Sequence, residues 1–176
     1  IIVTNDDGIY SPGILELKKA MELLGSVTLV APDVQKSGVG HSITFSHPLR
    51  VRDVYANGDF IGYGIDGSPA DCVKLAVREI LKERSQLLVS GINIGANVGI
   101  NVLYSGTVAA AIEGALLGIP SVALSLEISE SAPDVKGAAD TAKDIIALIM
   151  KKELPRGTLL NVNIPNISKD KIKGVK

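Results

Sequence analysis

The chain has 176 residues, 46% hydrophobic and 21% charged, which is enough to bury a substantial core and too apolar for a disordered segment. A formal net charge of -1 and 3% aromatics, with no Trp, exclude a broad basic surface or base-stacking platforms for a nucleic-acid polymer. The single cysteine, Cys72, excludes an internal disulfide, and no apolar run reaches the ~18 residues of a membrane span; a reducing, cytoplasmic setting is expected.

Ile1 to Thr4 reads as a short strand buried on both faces, not as a signal peptide. Ser11-Pro12 supplies a helix cap with proline at the first helical position, and Ile14, Leu15, Leu17, Met21 and Leu24 line one face until Gly25. Val27 to Ala31 is a second strand. Residues 33–47 form a polar loop long enough to favour a functional role. Leu49 to Val54 and Phe60 to Ile65 flank Asn57-Gly58, a hairpin turn signal. Ser68-Pro69 repeats the cap and opens a helix through Leu81. Leu87 to Ser90 is a strand, and a Gly- and Asn-rich loop runs from Gly91 to Asn101. A small-residue helix spans about Thr107 to Leu117, then a strand Ser121 to Ser125, an amphipathic helix Ala138 to Lys152, and a last strand Leu159 to Ile164. The alternation predicts a single α/β domain over 1–176, a Rossmann-like three-layer sandwich with a mostly parallel sheet and a hairpin excursion. A start without Met and an end at Gly174-Val175-Lys176 lead us to expect further chain on both sides.

In such sheets ligands bind beyond the carboxyl ends of the strands, and four loops there share a vocabulary of Asp, Asn, Ser, Thr and Gly. Asp6 and Asp7 repel each other at the end of a buried strand unless a cation sits beside them, and Mg2+ or Mn2+ would take their oxygens. Helix capping or a solvated turn is the competing reading. Asn93 and Asn97, in Gly91-Ile92-Asn93-Ile94-Gly95-Ala96-Asn97, either add a neutral oxygen ligand or only shape a turn. Ser105-Gly106-Thr107 precedes a helix whose unpaired N–H groups and dipole suit phosphate; plain N-capping is the alternative. In the long loop, the case for Ser37 depends on its neighbours. His41 is placed to contact substrate or protonate a leaving group, whereas His47 beside Pro48 reads as structural. Ser68 reads first as a cap and Cys72 as packed.

Several patterns are absent. A receiver-type acid pocket needs an Asp where Ser90-Gly91 stands, the dehalogenase type needs Asp-x-Asp, and there is no Walker-type loop. The ordered stretches Val3 to Gly8, Ala31-Pro32-Asp33 with Ser37 to Ser42, Gly67 to Lys74, Ser90 to Asn97 and Tyr104 to Val108 together resemble the SurE family of survival proteins and nucleotidases. The likeness is dense over residues 1–125 and looser to Pro165.

The resemblance implies one divalent ion, Mg2+ or Mn2+, on Asp6, Asp7, Ser37 and Asn93. It implies phosphate contacts from Asn97, Ser105, Gly106 and Thr107. It further implies hydrolysis of nucleoside 5'- and 3'-monophosphates by activated water, with Asp6 the favoured water-orienting acid. Family members are similar in forming homodimers or homotetramers through a C-terminal extension that this sequence does not contain. A non-catalytic nucleotide- or phosphate-binding domain is the alternative from a different class, and a structural domain whose acids are turn residues is a third.

Overall fold

A computed structural model describes residues 1–152, 154, 155 and 157–175. Seven strands form one sheet in the order β3-β4-β2-β1-β5-β6-β7: β1 (Ile2–Thr4), β2 (Thr28–Pro32), β3 (Val51–Ala56), β4 (Asp59–Ile65), β5 (Leu88–Ile94), β6 (Ser121–Leu126) and β7 (Leu159–Ile164). All neighbouring pairs are parallel except β3 and β4. These two make the anticipated hairpin, in which Asn57 (φ 53°) and Gly58 (φ 91°) both take the left-handed backbone a tight two-residue turn requires.

Four helices cover the sheet: α1 (Pro12–Glu22), α2 (Pro69–Leu75), α3 (Gly106–Leu116) and α4 (Val135–Lys152). Alternate strand residues face opposite layers. Val3, Leu29 and Val89 join Ile14, Leu17 and Met21 of α1 and Ala142 and Ile146 of α4 in one core. Ile2, Val30 and Leu88 join Val73 of α2 and Val108 and Ala111 of α3 in the other. The sheet is therefore the middle of three layers.

The elements follow the sequence expectations with informative differences. The loop expected from Gly91 belongs to β5 as far as Ile94, and a short 3-10 helix follows at Gly99–Leu103. The helix opened by Ser68 passes from α2 into a single π turn over Ala76–Ile80. Ser68 closes a full capping box: its hydroxyl accepts from the Asp71 N–H, and the Asp71 carboxylate accepts from the Ser68 N–H. Ser11 stands at the N-cap position of α1 but makes no capping bond. Its hydroxyl instead accepts from Asn5 Nδ2 at 2.7 Å.

The strand order decides where a site forms. From β1 the chain passes to β2 on one side, and later, through α2, to β5 on the other side of β1. The loops after β1 and β5 therefore leave the sheet edge in opposite directions and open a crevice between them. Asp6 and Asp7 follow β1; Asn93 and Asn97 lie at and beyond the end of β5.

Candidate active site

The turn after β1 is built by Asn5. Its side-chain oxygen accepts from the Gly8 N–H at 3.2 Å, and its amide donates to the Gly8 carbonyl at 3.1 Å. This local ring aims Asp6 into the protein and Asp7 toward its surface: Asp6 is 5% exposed, Asp7 half-buried.

Asp6 lies against the first turn of α3, where the Thr107 hydroxyl donates to its Oδ1 at 2.5 Å. A Cβ on Gly106 would come within 2.7 Å of the Asp6 Cβ and 2.9 Å of its Oδ2, so only glycine permits this approach. Burial raises the Asp6 carboxyl above its ordinary value; the Thr107 hydroxyl and the Thr107 and Gly106 amides oppose this without cancelling it. For Asp7, burial raises the carboxyl, the neighbouring Asp6 charge raises it further, and a hydrogen bond from Gln35 pulls it down. Both carboxylates are thus costly to keep charged without a cation, which is what a cation-binding pair requires.

Three tethers bring the long loop to these acids. The Lys36 N–H donates to the Asp6 carbonyl at 2.7 Å. Gln35 Nε2 donates to Ser37 Oγ at 2.8 Å and to Asp7 Oδ1 at 3.3 Å, linking two expected ligands through one amide. The Gly40 N–H donates to the Tyr104 carbonyl, joining the loop to the approach of α3. Nearby, the Asp71 carboxylate accepts from the Thr44 N–H and hydroxyl, and Ser68 Oγ donates to the Ser42 carbonyl, so α2 anchors the loop's far half.

Asp6, Asp7, Ser37, Gly106 and Thr107 are thus joined by direct or one-residue contacts. Asn93 sits at the neighbouring strand end, paired in register with Ser125, its amide donating to the Gly95 carbonyl. Asn97 is 7% exposed and donates from Nδ2 to the same Ser125 hydroxyl. The Ser105 hydroxyl caps α3 by accepting from the Val108 N–H at 3.2 Å and keeps its own proton to donate. The donor set is all oxygen, from two carboxylates, a hydroxyl and an amide; this chemistry suits a hard divalent ion.

His41 is tied to α3. Its Nε2 pairs with Glu113 Oε2 at 2.8 Å, and Glu113 also lies 3.8 Å from Lys74. Glu113 is seven residues into α3 from Gly106, about 10 Å along the axis at ~1.5 Å per residue. His41 in this arrangement holds the loop to α3. His47 is exposed and pairs only with adjacent Ser46, and Cys72 is fully buried.

Sequence reasoning missed five supporting positions: Asn5, Gln35, Glu113, Asn161 and Asn163. Two signals were available. Glu113 is the one charge in an otherwise small and apolar helix, and Asn161-Val162-Asn163 places two amides on one strand face.

Fold and site together define an α/β domain with a cluster of oxygen-bearing side chains and a helix N-terminus meeting at a topological switch point. The chain belongs to the SurE family: the family profile described as "Survival protein SurE" matches residues 1–176. Relatives named 5'-nucleotidase SurE from Syntrophobacter fumaroxidans and Geobacter sulfurreducens are 48% and 43% identical. The matches cover 100% and 99% of this chain and 70% and 65% of those proteins. The crystal structure of the SurE protein from Aquifex aeolicus superposes with a TM-score of 0.91 at 45% identity, over 99% of this chain and 69% of that one.

Proposed function

We propose that the chain is a phosphomonoesterase that hydrolyses nucleoside 5'-monophosphates, and 3'-monophosphates as well, to nucleoside and phosphate. The observation that carries this reading is the contact between Asp6 and Thr107, which sets a buried carboxylate against the helix terminus suited to phosphate. The relatives named 5'-nucleotidase SurE support the nucleotide substrate.

One divalent ion, Mg2+ or Mn2+, would be held by Asp6, Asp7, Ser37 and Asn93. When bound it lowers the pKa of water and draws charge from a phosphoryl oxygen. The protein's own groups supply the rest. One of the two acids, Asp6 by preference because Thr107 holds it in place, orients the attacking water and accepts its proton. The Ser105 hydroxyl and the Asn97 side-chain amide, with the positive end of α3 behind them, hold the phosphoryl oxygens as charge spreads over them. Thr107 serves this from behind, because its hydroxyl proton is committed to Asp6. Asn5, Gln35 and the long loop hold the acids in place without touching substrate.

The cytoplasm remains our expected location; no helix among the described residues is long and apolar enough to cross a membrane. A homodimer or homotetramer is the proposed assembly, to be read by light scattering.

The test is phosphate release from a panel of nucleoside monophosphates with Mg2+, Mn2+ or EDTA. We expect release with either ion and none with EDTA. Asp6→Asn and Asp7→Asn should each lose at least about 100-fold in kcat while remaining folded. Near-normal turnover by both variants at saturating Mn2+ rejects the metal site. Nucleotide binding without release under all conditions would favour the non-catalytic reading.

A further inference from the structure

Asn97 belongs to no helix or strand and lies between half-buried Ala96 and exposed Val98, yet it is itself buried and held from three sides. The Asn97 N–H donates to Asn163 Oδ1 at 2.8 Å. Its carbonyl accepts from Asn161 Nδ2 at 2.8 Å and from Asn163 Nδ2 at 3.2 Å. Its side chain donates to Ser125 Oγ at 2.8 Å. Both asparagines come from β7, two strands from the loop they grip, and they share one face of it.

We infer that Asn161 and Asn163 are positioning residues for phosphate: they fix the backbone on both sides of the Asn97 Cα and so set where its amide points. The inference rests on the phosphate role proposed for Asn97. Two features separate it from simple satisfaction of a buried loop. First, the two side chains converge on one residue rather than on the loop generally, gripping both its donor and its acceptor. Second, Asn161 Oδ1 is buried with no hydrogen-bond partner among the described residues. Such an orphan carries a local cost, which makes asparagine a poor choice for strand stability alone, and departures of this kind concentrate at functional sites. Side-chain supports of this sort act through the ligand they orient, and their loss weakens binding of that ligand selectively.

The test measures the dissociation constant of inorganic phosphate by calorimetry, and KM and kcat with a nucleoside monophosphate, for Asn161→Ala, Asn163→Ala, Asn97→Ala and the double variants. Asn161→Ser serves as the milder truncation should Asn161→Ala not fold. We expect phosphate affinity to fall about tenfold in each single variant, with KM rising more than kcat falls and the Mn2+ midpoint unchanged. In the Asn97→Ala background the β7 substitutions should add nothing further. Wild-type phosphate affinity in the β7 variants, with Asn97→Ala impaired, overturns the positioning role and leaves the phosphatase reading intact. Full additivity in the double variants overturns it equally. Absence of phosphate binding by the unmodified protein, or an Asn97→Ala variant that binds normally, rejects the parent reading and the positioning role with it.

Discussion

At the scale of single residues, the decisive contact is one that pattern reading assigned differently. Ser105-Gly106-Thr107 was expected to face phosphate, yet the Thr107 hydroxyl donates to Asp6 and Gly106 is the space that lets Asp6 approach. Asp6 is buried, so its charge depends on the donors around it. Thr107→Val keeps the shape and removes the strongest of them. We expect it to destabilise the fold by about 1–3 kcal/mol, the cost of stripping a partner from a buried charged acceptor. Thr107→Ser retains the hydroxyl and should stay close to the unmodified protein. Denaturant midpoints of the three proteins, at an unchanged slope, decide the matter; equal midpoints for the Val and Ser variants would show that the bond is unimportant.

At the scale of elements, the period-2 and period-3.6 patterns located the seven strands and four α-helices of the described residues within a few residues, though not the short 3-10 turns, because most of them bury an unbroken apolar face in one of two cores. What escaped was set by the sheet. Residues 91–94 carry Gly and Asn, so locally they read as loop, but pairing with β6 through Ile94 makes them strand. The loops proposed to hold the ion and phosphate stand out as a group because Asp, Asn and Ser cluster at strand ends. Their supports were less legible: Gln35 is an ordinary polar residue until the fold brings it beside Asp7, and Asn161 and Asn163 share a strand face whose partner, Asn97, only the fold supplies.

Asp71 is also an element-scale residue, since it caps α2 and ties down Thr44 of the long loop. Burial pushes its carboxyl up, but the hydrogen bonds from Thr44 and Ser68 outweigh this and hold it below the ordinary value of 3.8. A carboxylate with a depressed folded-state pKa contributes stability that is complete above the unfolded value and disappears as pH falls through the folded one. Asp71→Asn should therefore lower the melting temperature at about pH 6, where a lost cap costs roughly 1 kcal/mol, and the gap from the unmodified protein should narrow as pH falls below 3.8. A gap of constant size across that range would mean that the charge contributes nothing.

At the scale of the whole molecule, the proposed ligands tie together segments far apart in the chain: Asp6 and Asp7 after β1, Ser37 after β2, and Asn93 in β5. An unfolded chain cannot present these four together, so the ion binds the folded state and must stabilise it. At ~100 times its dissociation constant the gain is about 2.7 kcal/mol, which for a chain of this length is a melting shift of roughly 5–10 °C. Without the ion the same acids work against the fold, since Asp7 is partly desolvated and repelled by Asp6. Asp7→Asn relieves that repulsion and weakens the ion site at once. The two proteins should therefore cross. In EDTA the variant should melt higher, in the manner of sites that sacrifice stability for function. In Mn2+ the unmodified protein should melt higher, with a shift that grows with the logarithm of ion concentration. A scanning-calorimetry series in EDTA and increasing Mn2+ reads both limbs. An unmodified protein whose melting point ignores Mn2+ would reject the four-ligand site, whatever its affinity for phosphate. A variant that melts lower in EDTA as well would show instead that Asp7 is held by structural bonds stronger than its repulsion from Asp6.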